Sequence, residues 1–199
     1  MEAYMKNNND SKKQLIKTAR KLFESNGYDQ TSIRQIYSEA GLSNGTFYHY
    51  FKKKEDLLVA VCDADADVYD LVDDIENKVM DPFSHLYKYF LSYAKYWNDL
   101  GYVLAAEAYR LYDHMFLNED FSKKKIHAVH TVAAFIEQAQ MTGTFDKSFS
   151  SHEAAEYLFM TTRGILYEWT LRKGSFDLIE AAEKYVPRII FPLIKNNTI

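Results

Sequence analysis

A chain of 199 residues, 47% hydrophobic and 26% charged, has enough apolar material for one large or two small domains with a buried core. Seven glycines and three prolines punctuate it too rarely for many short strands, and the single cysteine, Cys62, excludes an internal disulfide framework and fits a reducing cytoplasm. The net charge of −4 is uneven: residues 1–54 hold ten Lys and Arg against five Asp and Glu, and residues 55–199 hold fourteen against twenty-three, so a basic head suited to a polyanion precedes an acidic body.

The first residues, MEAYMKNNND, are polar, lack the apolar stretch of a signal peptide, and read as a disordered leader over residues 1–10. Leu15, Ala19, Leu22 and Phe23 then recur at helical spacing, with Ser11 as the expected N-cap and Gly27 just past the C-terminus. A second helix, capped by Thr31 or Ser32, carries Ile33, Ile36, Tyr37 and Ala40 and ends at Gly41. Only Gly41, Leu42 and Ser43 precede the next segment, and a short helix, a glycine turn and a new cap at Ser43 make a helix-turn-helix. The run Thr46–Phe51 is rich in strand-favouring residues but lacks period-2 alternation. As a helix from Ser43 it turns Phe47, Tyr50 and Phe51 inward with Leu42, and Asn44, Gly45, Tyr48, His49 and Lys52 outward. Two turns of such residues hold only if packing overrides propensity.

A long amphipathic segment runs from Lys54 to about Val79 with Leu57, Leu58, Val61, Val68, Leu71, Val72 and Ile75 as its stripe, and Asp81-Pro82 is expected to close it. Helical patterns then cover about 83–100, 102–118, 121–142, 151–173 and 177–194, for about nine helices in all. Pro187 is expected to kink or shorten the last one. No apolar run approaches the roughly 18–20 residues of a membrane span.

The stretch GYDQTSIRQIYSEAGLSNGTFYHYFKKKEDLL resembles the N-terminal DNA-binding domain of the TetR/AcrR family of transcriptional regulators. The features that carry the resemblance are Gly27-Tyr28, Thr31-Ser32-Ile33, Ile36, Ala40-Gly41-Leu42-Ser43, Gly45, Phe47-Tyr48, Tyr50-Phe51, Lys54-Glu55 and Leu57-Leu58, within about residues 12–60. Tyr37 departs from the family, which usually has alanine there. The resemblance implies a helix-turn-helix domain over 11–55 and a larger helical ligand-binding and dimerisation domain over 56–199. It also implies a cytoplasmic, homodimeric repressor, two copies of which grip a palindromic operator in double-stranded DNA about 34 Å apart.

Side-chain chemistry gives the head its candidate contacts. Ser43 caps the recognition helix, and Thr31 and Ser32 the helix before it, where backbone N–H groups can meet phosphate. Gly45 lets the backbone approach DNA, Tyr48 and Tyr50 carry hydroxyls for phosphates, and Lys54 adds charge, as do Lys52 and Lys53. Asn44, Thr46 and His49 on the recognition helix, with Arg34 on the helix before it, are the base readers. Tyr50 fits a core position as well as a phosphate contact.

In the body, Leu158, Ile165, Trp169, Ile179, Val186 and Ile190 form stripes that serve either a dimer interface or the monomer core, and Gly164 lets a neighbour approach. Tyr89, Tyr93, Trp97, Tyr109, Tyr112, His130, Phe135 and Tyr167 are the candidates for an effector pocket, again with ordinary core as the other reading. Such walls suit a hydrophobic or aromatic effector, or a cationic one paired with Glu107, Glu137 or Glu168. DADADVYDLVDD mimics the start of a calcium loop, but Val68 stands where the loop needs glycine. His114, His127 and His130 lack the further ligands of a metal site, so neither metal nor cofactor is expected. No nucleophile–base pair or phosphate loop points to an enzyme. The alternatives are the same head controlled by a protein partner or by nothing, and, from another class, an all-α enzyme acting on an aromatic compound.

Overall fold

The structure, a computed structural model, describes the backbone of residues 2–63, 81–111 and 119–195 and the side chains of 10–62, 81–111 and 128–195. The described residues form α1 (Glu2–Asn26), α2 (Ile33–Glu39), α3 (Asn44–Tyr50), α4 (Lys54–Asp63), α5 (Pro82–Leu100), α6 (Tyr102–Arg110), α7 (Glu119–Met141), α8 (Ser151–Leu171) and α9 (Leu178–Ile190), then a 3₁₀ turn, Phe191–Leu193. The only β-type pairing among them is an isolated bridge between Phe145 and Ile194, so the expected all-α class holds. Contacts divide the chain into two units, residues 1–65 with 103–121 and residues 66–102 with 122–199.

In the N-terminal unit, α1 packs on α2, α3 and α4, and α2 packs on α3. Leu15, Ala19, Leu22 and Phe23 are the buried stripe of α1, joined by Ile36, Phe47, Phe51, Leu57 and Leu58. Each large side chain buried there contributes on the order of 1.5–3 kcal/mol. The helix begins at Glu2, so Ser11 lies inside it and does not cap it, a correction to the sequence reading. Once a packed stripe nucleates a helix, each further residue adds one backbone hydrogen bond at little cost. Ser32 is the cap of α2: its Oγ accepts from Gln35 N at 3.2 Å and its N–H donates to Gln35 Oε1 at 2.8 Å, a capping box. Gly41 then turns the chain at φ +65°, a conformation that disfavours residues with a Cβ, while Leu42 N donates to Tyr37 O at 2.8 Å.

In the C-terminal unit, α5 packs on α8 and α9, and α8 packs on α9. Asp81 caps α5, accepting from Ser84 N at 3.0 Å, with Pro82 in the first turn where a missing N–H costs nothing; the segment it was expected to close, residues 64–80, lies outside the described residues. Ser150 and Asp177 cap α8 and α9 in the same local way. Pro187 leaves α9 only three more residues before the chain tightens into the 3₁₀ turn. The expected stripe residues Val68, Leu71, Val72 and Ile75 lie outside the described residues, as does most of the calcium-like segment.

Candidate nucleic-acid interface and effector core

The geometry of α3 starts from its buried face. Phe47 is fully buried and Phe51 nearly so, their ring centroids 5.8 Å apart, and Leu42 is half-buried beside them in sequence. That anchor sets the rotation of the helix. Asn44, Gly45, Tyr48 and His49 therefore face out, with Tyr48 51% exposed. Ser43 Oγ accepts from Thr46 N at 3.1 Å and lies 2.8 Å from Thr46 Oγ1, so the Thr46 side chain, half-buried, is held by the cap. Tyr50 is half-buried, its ring edge-on to His49 at 4.7 Å and 6.4 Å from Phe51, which puts it between the two roles the sequence left open.

Ser32 and Arg34 are exposed on α2. Thr31 is not at the surface: it is fully buried, and its hydroxyl donates to Gly27 O at 2.8 Å and lies 3.2 Å from Leu22 O. It braces the turn before α2 by tying it to the last turn of α1. Lys54 is also engaged internally. Its Nζ donates to Tyr28 O at 2.8 Å and Thr31 O at 3.0 Å and sits 4.1 Å over the Tyr28 ring. Lys52 and Lys53 are exposed, and their N–H groups both donate to Asp56 Oδ2 at 3.1 Å.

Residues that the sequence reading missed support this head from behind. Gln14 Nε2 donates to Ala40 O at 2.8 Å, tying α1 to the turn. Arg110 of α6 pairs with Asp29 at 3.3 Å and Glu107 at 2.8 Å, with its guanidinium 5.6 Å from the Tyr28 ring centroid. Burial pushes the Tyr28 hydroxyl well above the ordinary phenol range. No local pattern links residues 81 positions apart, so Arg110 left no signal in the sequence.

Gly45 adds a negative observation. A Cβ built there meets nothing closer than Ser43 Oγ at 3.7 Å, an ordinary contact. The packing of the chain itself does not demand glycine at this exposed position.

The body aromatics fall into three groups. Tyr89, Phe90 and Tyr93 of α5 gather on Phe159 of α8 at 6.0, 5.2 and 6.4 Å, and Trp97 meets Tyr93 at 6.2 Å. A small void of about 10 Å³ lies beside Tyr93, Trp97, Thr162 and Ile165. Phe135 is half-buried, edge-on to His85 at 4.8 Å, and Tyr109 is half-buried in the N-terminal unit. Tyr167 and His130 are exposed, and Tyr112 lies outside the described residues. His130 stacks loosely on His152 at 5.6 Å; no group of three metal-ligating side chains occurs among the described residues. Of the carboxylates expected to pair a cation, Glu107 is bound to Arg110, Glu168 to Arg172 at 2.6 Å on the surface, and Glu137 is exposed.

Leu158, Trp169, Val186 and Ile190 are buried within their own chain, and Ile165 and Ile179 are half-buried, so the expected interface stripe largely completes the monomer core. The outward face of α8 is instead Met160, Gly164, Tyr167 and Leu171, with Met160 62% and Leu171 59% exposed. Beside it, an open groove of about 620 Å³ runs between α8 and α9 past Thr161, Gly164, Glu168, Lys184 and Tyr185.

Residues 15–61 match the model of the bacterial regulatory proteins, tetR family. The HTH-type transcriptional regulator YerO of Bacillus subtilis is 46% identical over 55 residues, which cover 28% of this chain and 19% of that protein. The match thus spans about a fifth of that relative's length. The fold extends further. PfmR, a TetR family transcriptional regulator of Thermus thermophilus, superposes with a TM-score of 0.68 at 19% identity, over 91% of this chain and 99% of its own. FadR of the same organism, a TetR family transcriptional repressor solved with lauroyl-CoA, does so with a TM-score of 0.68 at 19% identity, over 94% and 98%. The N-terminal region thus resembles the tetR family model, and the chain as a whole shares the fold of these solved structures. No helix among the described residues is long and apolar enough to cross a membrane.

Proposed function

We propose that this protein is a sequence-specific DNA-binding transcriptional regulator, a homodimeric repressor that leaves a palindromic operator when a small apolar effector binds its body. The observation that carries the DNA reading is the face of α3. Phe47 and Phe51 hold the helix from behind, so Asn44, Tyr48 and His49 point outward with no role in their own core. A helix fits the major groove, where such side chains read base edges. Arg34, exposed on α2, and Lys52 and Lys53 after α3 supply charge for base and phosphate contacts. The unforced glycine at 45 is explained by close approach of a phosphate backbone. The DNA-binding domain is then residues 11–55, with effector binding and dimerisation in 56–199.

Self-association is supported by the exposed Met160, Tyr167 and Leu171, which line one face of α8 around Gly164. One head contacts too little DNA alone, and two-fold symmetry matches a palindrome. Effector control is supported by the aromatic core of α5 and α8, and by the acyl-CoA bound to the Thermus relative of the same fold. An effector lowers DNA affinity by its differential binding to two states of the dimer.

The test is a gel-shift titration of the upstream region of the gene across salt concentrations. We expect one retarded palindrome, and affinity that falls steeply as salt rises. Arg34→Ala is expected to lose about 1–3 kcal/mol of discrimination between operator and scrambled DNA. Salt-insensitive binding, or equal affinity for both DNAs in the wild type, rejects the reading.

A further inference from the structure

Lys54 opens α4, shortly after the recognition helix, where a lysine invites a phosphate contact. The structure commits its charge elsewhere. Its Nζ donates to Tyr28 O at 2.8 Å and to Thr31 O at 3.0 Å, and lies 4.1 Å over the Tyr28 ring. An ammonium has three N–H donors and no acceptor. Two of them are taken by backbone carbonyls, and the cation itself rests on a ring face, an attraction that strengthens as water is excluded.

What Lys54 grips is itself held. Tyr28 is 4% exposed, packs on Phe23 of α1 at 5.0 Å between ring centroids, and has the Arg110 guanidinium 5.6 Å from its own centroid. Its carbonyl also accepts from Thr31 N at 3.2 Å, and the fully buried Thr31 donates its hydroxyl to Gly27 O at 2.8 Å. The ammonium therefore ties the first residue of α4 to the turn that follows α1 and precedes α2. The two points of attachment are 23 and 26 residues back along the chain, and α3 lies between them and Lys54. One end of α3 is joined to α2 through the Gly41 turn, and the other to α4 through residues 51–53. The tie closes the path through α2, α3 and α4 into a ring and fixes both ends of α3 against α1. Withdrawing the ammonium toward a phosphate would take a donor from the carbonyl of a buried residue, which opposes the movement.

We infer that Lys54 is a positioning residue for operator recognition and not a phosphate contact: by holding Tyr28 and Thr31 it sets the orientation from which Asn44, Tyr48 and His49 of α3 meet base edges. The inference rests on the DNA-binding reading above. It leaves the phosphates to the exposed Lys52 and Lys53.

Operator and scrambled duplexes titrated with full-length Lys54→Met over a range of salt concentrations separate the roles, at a temperature where circular dichroism matches the wild type. Loss of a phosphate contact weakens both DNAs alike and lowers the slope of log affinity against log salt by about 1. A residue that only stabilises the fold leaves both quantities as they are while the protein is folded. A positioning residue lowers the ratio of operator to scrambled affinity and leaves the slope unchanged. For Lys54→Met we expect this third pattern, with the ratio down about tenfold or more, the effect of one misaligned base contact. Tyr28→Leu removes the ring under the ammonium at a buried position that DNA cannot touch, and is expected to lower the ratio with an unchanged slope. It decides the matter if Lys54→Met does not fold. A slope that falls by about 1, or an unchanged ratio in either folded variant, overturns the inference. Wild type that binds both duplexes equally fails the DNA-binding reading itself, and the inference with it, before either variant is made.

Discussion

Tyrosines on α3 and on α5 are placed in opposite ways. Tyr48 stands half out in solvent on a helix whose buried face is two phenylalanines, so its hydroxyl makes no demand on the fold. Tyr89 and Tyr93 face inward, and the Tyr89 hydroxyl finds no hydrogen-bond partner among the described residues. The head keeps apolar packing and polar contact on separate faces of one short helix. The body mixes them at one interface. A surface of the first kind is preformed and can be read by a partner without unfolding anything. A core of the second kind carries a polar group at an apolar interface, which costs stability unless it is hydrogen-bonded.

The comparison breaks first at Phe47. Phe47→Ala removes a fully buried ring and is expected to cost about 3–5 kcal/mol, lowering the urea midpoint of the head and abolishing operator binding. Retained stability would mean that α3 is not held from behind. Next in size is the outward face of α8. Met160→Glu with Leu171→Glu places two charges on exposed positions, so helix content should persist while sedimentation changes from dimer to monomer. A variant that still sediments as the wild type does would locate self-association elsewhere.

Gly45→Ala separates the two uses of a helix face most sharply. Its added Cβ meets only Ser43 Oγ at 3.7 Å, so the fold should gain about 0.5–1 kcal/mol, while operator affinity drops. Parallel loss of both would show that glycine serves the fold. The smallest effect concerns the capping carboxylate of α5. Hydrogen bonds from Ser84 hold Asp81 below the ordinary aspartate range. Its folded value is lowered, so its contribution is fully present above the unfolded value, roughly 4, and fades as pH falls through the lower folded one. Asp81→Ala should cost about 1 kcal/mol at pH 7, and the difference from wild type should shrink in melts taken near pH 3.

Local chemistry was legible wherever cause and effect lie within a few residues. Ser43, Gly41 and the Phe47/Phe51 spacing placed the turn and the rotation of α3, because a cap, a positive φ and an i, i+4 pair are each settled locally. Thr31 and Ser32 show the limit. Both are hydroxyl residues before a helix, and only the carbonyls of Leu22 and Gly27 decide that Thr31 turns inward and Ser32 caps. Asp81 reads in the sequence as an ending, and the structure shows it starting α5; Asp-Pro serves either end, and the sequence alone does not separate the two.

By itself, the sequence determined an all-helical chain, a basic helix-turn-helix head and the outward set Asn44, Gly45, Tyr48 and His49, since periodicity, caps and turn glycines act over one or two helical turns. Which face of α8 is inside was decided by tertiary structure. Leu158 and Trp169 on one side, and Met160, Tyr167 and Leu171 on the other, are all large and apolar. Hydrophobic pattern alone cannot rank two such stripes; only the neighbours α5 and α9 can. The same holds for the meeting of Tyr89, Tyr93 and Arg163 at Phe159, because it joins helices far apart in the chain.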